Sequence, residues 1–232
     1  MNTKFHTRTS SGFTLIELLV VIAIIAVLAS LITPNITASM RRSRTVVGLS
    51  NLRQIGQAFQ LYANEHQGRL PFEIGVPGAR DRRTWHVAIA PFLDDFSLDQ
   101  LEARIGQRPV GVFACPNSNN VTRAGNYADY GMNIYINGSE TDQGGIARNI
   151  LHIDNPSQVI LAGDSTNANR PLRPGSVDAL LDRRQGNGDR ANVLFVDGRV
   201  ATENVDALWR EISGNRQQQH PWGWPGWRPI GP

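Results

Sequence analysis

Cysteine occurs once in this 232-residue chain, at Cys115. No disulfide can close within the chain, and no thiolate zinc site can be assembled from it alone. The surrounding run, Val112-Phe113-Ala114-Cys115-Pro116, is apolar, so a packed thiol is expected here rather than a nucleophile. A large excess of one charge is also missing: Lys and Arg number 23 against 20 Asp and Glu, and Lys4 and Arg8 lie in the first twelve positions with no acid beside them. The remainder is close to neutral and shows no clustered basic face, so nucleic acid is not an expected partner. Phosphate-binding loops are absent too. Gly186-Asn187-Gly188-Asp189 lacks both the Gly-Lys-Ser/Thr ending and the dinucleotide spacing, and reads as a surface loop. With 41% hydrophobic and 19% charged residues, the composition is that of a folded globular chain, neither disordered nor polytopic.

Charge is scarcest between Phe13 and Ile32, FTLIELLVVIAIIAVLASLI, twenty positions with Glu17 as the single ionisable residue. At about 1.5 Å per residue such a helix spans roughly 30 Å, the hydrocarbon thickness of a bilayer. A cleaved signal peptide is the rival reading, because Val27-Leu28-Ala29 precedes Ser30. Signal peptides, however, carry an apolar region of about 7–15 residues, and a glutamate inside one is costly, so a retained anchor is expected. Lys4 and Arg8 precede the run while Arg41, Arg42 and Arg44 follow it, and the charge rule leaves the topology open.

Beyond Pro34, a residue that removes an amide donor and kinks helices, the helical pattern resumes. Gly48, Leu52, Ile55, Phe59 and Tyr62 recur at three- and four-residue steps, with Arg53, Gln54, Gln57 and Gln60 on other faces. The stripe is expected to pack on the chain's own globular part, and Gln67-Gly68-Arg69-Leu70-Pro71 to stop the helix. Further on, strand-like runs cover Val110 to Cys115, Gln158 to Ala162, Asn192 to Val196 and Arg199 to Thr202, with a short helix at Thr84 to Leu93. Asp197-Gly198 signals a hairpin with both turn positions at positive φ. Helix first and antiparallel sheet later argue an α+β class.

Ser11-Gly12-Phe13-Thr14-Leu15-Ile16-Glu17, followed at once by the apolar run, strongly resembles the processing site of type IV pilins and type II secretion pseudopilins. The resemblance implies a pilin-like fold, a long transmembrane stalk helix followed by a small domain with an antiparallel sheet. It implies cleavage between Gly12 and Phe13 by a prepilin peptidase, N-methylation of Phe13, and an assembly role for Glu17. The amino end would be cytoplasmic and the globular domain periplasmic, on a single-pass inner-membrane protein. Expected partners are the peptidase, other copies or related pilin subunits, an inner-membrane assembly platform and membrane lipid. The expected organisation is a leader at 1–12, a stalk at 13–65 with its membrane segment at 13–34, a globular domain at 66–215 and a tail at 216–232. The function implied is a structural subunit of a pilus or secretion pseudopilus; the alternative is a monomeric, membrane-anchored periplasmic binding domain.

The later part also resembles pilin-like proteins abundant in planctomycetes, through Trp85 with Pro91-Phe92-Leu93, Phe113-Ala114-Cys115-Pro116, Tyr130-Gly131-Met132-Asn133, Asn155-Pro156-Ser157 with Val159 to Asp164, and Ala191 to Gly198. Many of those place a histidine before the final Asp-Gly, where this chain has Gln185 and Asn187. Catalysis is not expected: His152, Asp164 and Ser165 are the residue types of a hydrolase triad, but Ser165 lacks the Gly-x-Ser-x-Gly setting. No cofactor is expected. Some pseudopilins bind calcium near the end of the domain, and Asp182, Asn187, Asp189 and Asn192 are oxygen donors of the right hardness for such a site. Trp222, Trp224 and Trp227 stand among proline and glycine in a tail expected to be extended, with docking as its alternative role.

Overall fold

The computed structural model describes residues 13–71, 85–93, 109, 111–118, 129–133, 136, 149–165 and 181–208, with the side chains of 32–35 excepted. The tail with Trp222, Trp224 and Trp227 and the residue Gly12 lie outside the described residues. The chain divides into two compact units, Met1–Met40 and Arg41–Pro232. The second unit thus takes in the part of the stalk helix from Arg41 onward together with the globular part on which its stripe is expected to pack.

Helix α1 runs Leu15–Glu65, with Pro34 inside its span. In the first unit the described side chains of this helix are all exposed, from Leu15 at 83% to Val21 at 45%. In the second unit the three- and four-residue stripe is covered, as expected: Leu52, Ile55 and Phe59 are fully buried while Arg53, Gln54 and Gln57 face outward. The helix ends one residue earlier than the glycine signal suggests. Gly68 N–H donates to Ala63 O at 2.7 Å, the six-to-one bond of a Schellman close. Gln67, at φ 57, takes the left-handed position that glycine usually fills.

Helix α2 (Trp85–Ile89) continues into a 3-10 turn at Ala90–Phe92, where Pro91 sits at the tolerant start. Four strands follow, β1 (Tyr130–Met132), β2 (Ile160–Asp164), β3 (Arg190–Phe195) and β4 (Val200–Asn204), all antiparallel in the order β1-β2-β3-β4. Side chains along β3 alternate: Ala191, Val193 and Phe195 join one apolar cluster with Leu181, Val205 and Leu208, while Leu194 joins Leu52, Ile55 and Phe59 in another. Both sheet faces are thus covered, which explains the unbroken apolar run Val193 to Val196. On the helix side Phe59 stacks on Trp85 with ring centroids 5.3 Å apart, and each such buried side chain contributes about 1.5–3 kcal/mol.

Two local expectations are corrected, and one strand is found that was not expected. Of the strand expected over Val110 to Cys115, the described residues 111–115 form none: Gly111, at φ 56, opens a 3-10 turn over Gly111–Phe113. Its backbone pairs with Asp129 instead of a ladder, Cys115 N–H donating to Asp129 Oδ2 at 2.9 Å and Asp129 N–H to Phe113 O at 2.8 Å. The β3–β4 hairpin forms, but only Gly198 has positive φ, at 88°. Gly198 N–H closes a turn onto Phe195 O at 3.0 Å, and Asp197 Oδ1 accepts from Arg199 N–H at 2.9 Å, so the left-handed residue follows an ordinary turn. Finally, β1 has three residues, too few to show a period of two in the sequence.

Candidate functional site

Phe13 and Thr14 precede the helix without helical assignment, and Phe13 is 76% exposed. Glu17 is the one acid in the first turn of α1. Its Oε2 accepts from Thr14 N–H at 2.9 Å and from Thr14 Oγ1 at 2.6 Å, while Glu17 N–H reaches Thr14 Oγ1 at 3.4 Å. This is a capping box, in which the first helical turn satisfies its own donors, and a carboxylate at this end also opposes the helix dipole. The Thr14-x-x-Glu17 spacing carries this signal in the sequence. The helix start is therefore fixed immediately behind Phe13, and the bond expected to be cut lies ahead of the helix rather than within it.

The apolar window of α1 is long and apolar enough to cross a membrane, and none of it is buried by the chain itself. In water such a surface would be strongly unfavourable, since every exposed Leu, Ile or Val there forgoes about 1.5–3 kcal/mol of burial.

The second unit holds a polar hub under its segment of α1. Asp164 Oδ2 accepts from Gln185 Nε2 and from Asn192 N–H, both at 2.8 Å. Gln185 Oε1 accepts in turn from Thr45 Oγ1 at 2.8 Å and Asn117 Nδ2 at 2.7 Å. Asn51 Nδ2 donates to Ala114 O at 2.9 Å and Gln60 Nε2 to Val196 O at 3.2 Å, tying the same helix to two loops. A Cβ at Gly48 would lie 2.8 Å from Asn192 Nδ2, so glycine permits the close approach of helix and sheet. Cys115 borders this hub, buried as expected, and its thiol is pushed up to about 12, by desolvation first and by the Asp164 charge second. That thiol is a packing group and no nucleophile.

The four calcium candidates are not gathered into a cage. Asp182 Oδ2 is held by Arg184, Asp189 Oδ2 by Asn204 Nδ2 at 3.1 Å, and Asn192 is buried with its Oδ1 accepting from Thr202 Oγ1 at 2.7 Å. Asn187 is exposed on a turn. Among the described residues no group of three His, Cys, Asp or Glu side chains is placed to hold a metal. The triad types are separated by burial: His152 is exposed, whereas Asp164 and Ser165 are fully buried. Of the two residues standing near the position of the planctomycete histidine, Gln185 is the hub of the buried network and Asn187 faces a cavity beside Arg41. That cavity gathers Arg41, Arg44 and Arg184, a small cationic cluster that the near-neutral charge balance concealed.

Comparison with known proteins bears on the first unit. A model of the prokaryotic N-terminal methylation motif matches residues 7–33, a span that contains Gly12, Phe13 and Glu17. Over 55 residues the chain is 44% identical to the type IV wide pilus major component PilA4 of Thermus thermophilus, covering 24% of this chain and 42% of that protein. Over 55 residues it is 34% identical to the type II secretion system core protein G of Pseudomonas aeruginosa, covering 24% of this chain and 39% of that protein. The chain thus matches about two-fifths of the length of these curated relatives. No solved structure matches the chain.

Proposed function

We propose that this pilin-like chain is a membrane-inserted structural subunit, not an enzyme, that packs through its N-terminal helix with copies of itself or related subunits in a pilus or secretion pseudopilus. The observation that carries the reading is the apolar, uncovered first half of α1, headed by Phe13 and Glu17 within the methylation motif. In this reading a prepilin peptidase cuts between Gly12 and Phe13 on the cytoplasmic side and methylates the new amine. The amine and Glu17 then lie at the same depth, and the carboxylate of one subunit faces the amine of its neighbour. An ion pair in low dielectric adds little net stability over an apolar pair, but either charge left alone is costly, so the pair sets the stagger between subunits. The second unit, beginning at Arg41, would stand in the periplasm or on the filament surface. An inner-membrane platform would feed subunits into the assembly.

Cysteines substituted singly along residues 13–40 test this directly, because the native Cys115 thiol is buried and does not compete for oxidation. Oxidative crosslinking of membranes should give subunit ladders at positions on one or two faces of the helix. If every position stays monomeric under conditions that crosslink a known pilin, the chain is an anchored monomer and the reading fails.

A further inference from the structure

Beside the middle of α1 lies an open cavity of about 350 Å³, lined by Arg41, Arg44, Thr45, Asn117, Arg184 and the turn Gly186 to Gly188. Among the described residues no carboxylate lines it. Arg41 and Arg44 are three residues apart on the helix, hence on one face, and neither has a carboxylate within 4 Å among the described residues. Arg184 is different: its side chain is 5% exposed, and Asp182 and Ser165 O occupy Nε and Nη2. Its Nη1 makes no hydrogen bond among the described residues, with Asp129 Oδ1 at 3.9 Å. The main-chain N–H groups of Gly186 and Asn187 likewise find no acceptor among the described residues. The acids of the same loop, Asp182 and Asp189, are held by Arg184 and by Asn204.

The balance in and around the cavity is therefore two guanidinium groups with no carboxylate partner among the described residues, over a third that is buried against Asp182, Asp129 and Asp164 and keeps one N–H without a hydrogen bond. Guanidinium forks match the oxygens of a phosphoryl group better than a single ammonium does, and two or three of them converging make an oxyanion site rather than a cation site. From this geometry we infer that the cavity binds a phosphate group, held by Arg41 and Arg44 with Arg184 behind them. Arg41 follows Ile32, the last residue of the bilayer-length run, by nine positions of chain, so a phospholipid headgroup is within reach of the site as well as a soluble phosphate. The lipid source rests on the membrane anchor proposed above; the phosphate site does not.

The test uses the full chain in a neutral detergent, with its melting temperature followed at constant ionic strength. Ligand that binds only the folded state raises that temperature in a saturable way. Inorganic phosphate is titrated against chloride in one arm, and phosphatidylglycerol against diacylglycerol of the same chains in another. Arg41→Gln with Arg44→Gln is the comparison variant, since both side chains are exposed. The expected result is a saturable rise with phosphate or with phosphatidylglycerol, and a half-point about tenfold or more higher in the double variant. Saturation by phosphatidylglycerol at far lower concentration than inorganic phosphate identifies a headgroup; equal potency identifies a soluble phosphate. No saturable rise in either arm, or a double variant that responds like the parent chain, overturns the site. Neither result bears on crosslinking through residues 13–40, so the two proposals fail separately.

Discussion

His86 is buried in α2 between the rings of Trp85, 3.7 Å away centroid to centroid, and Phe113, at 5.5 Å and nearly perpendicular. Burial among rings disfavours the imidazolium and pushes its pKa down to about 3, against a smaller opposing effect of its backbone contact with Tyr130. The unfolded chain therefore binds a proton near pH 6.5 that the folded chain refuses. The stabilising contribution is present in full above that pH and is lost as pH falls from about 6.5 toward 3. Linkage gives a loss of about 1.9 kcal/mol between pH 7 and pH 5, and the figure hardly changes so long as the folded value stays below about 4. A soluble chain beginning at Ser43 suits the measurement, because the first buried residue of α1 is Gly48 and the second compact unit starts at Arg41. Urea unfolding at several pH values would be compared for this chain and for His86→Phe, which keeps a ring and removes the titration. Carboxylates shared by both cancel in the difference. The difference should shrink by about 2 kcal/mol on going from pH 7 to pH 5. A difference that stays flat over that interval would refute a neutral, buried His86.

Glu17→Val should leave membrane insertion and cleavage after Gly12 largely intact while abolishing or strongly reducing assembly and lowering methylation; subunit ladders at the parental level would rule out the register mechanism. Gln67→Gly should stabilise the folded chain by about 0.5–1 kcal/mol in urea unfolding, because glycine enters the left-handed helix close without Cβ strain. An unchanged or lower stability would show that the Gln67 side chain contributes more than the strain costs. Calcium and chelator should give superimposable melting curves, since Asp182, Asp189 and Asn192 already have partners; a rise in melting temperature with calcium would mean those contacts give way to the ion.

The stalk was legible because its signals are local. Twenty apolar positions broken only by Glu17, a Gly12-Phe13 step ahead of them, and a three- and four-residue stripe from Gly48 to Tyr62 all lie within one stretch of chain. The β3–β4 hairpin was legible for the same reason, through Asp197-Gly198. What was missed depends on residues far apart in sequence. Gly111 and Asp129 together divert Gly111 to Cys115 from strand to turn, and no window around either residue contains the other's effect. The hub joining Thr45, Asp164 and Gln185, and the cavity joining Arg41 and Arg44 to Arg184, exist only once the sheet has brought the loop after Leu181 against the helix. For the oxygen donors proposed for calcium, composition counts the donors but not the partners that Asp182, Asp189 and Asn192 already have in the fold. The capping box at Thr14 and Glu17 is the opposite case, a local signal that attention to Glu17 as an isolated charge obscured.

The central claim is that Phe13 becomes the first residue of a retained, membrane-spanning helix. Intact mass and N-terminal sequencing of the protein recovered from membranes test it most directly. The account predicts a chain that begins at Phe13 and carries one methyl group on its amine. A chain that begins at Ser30, or one that keeps Met1 through Gly12 in cells with an active prepilin peptidase, would contradict it.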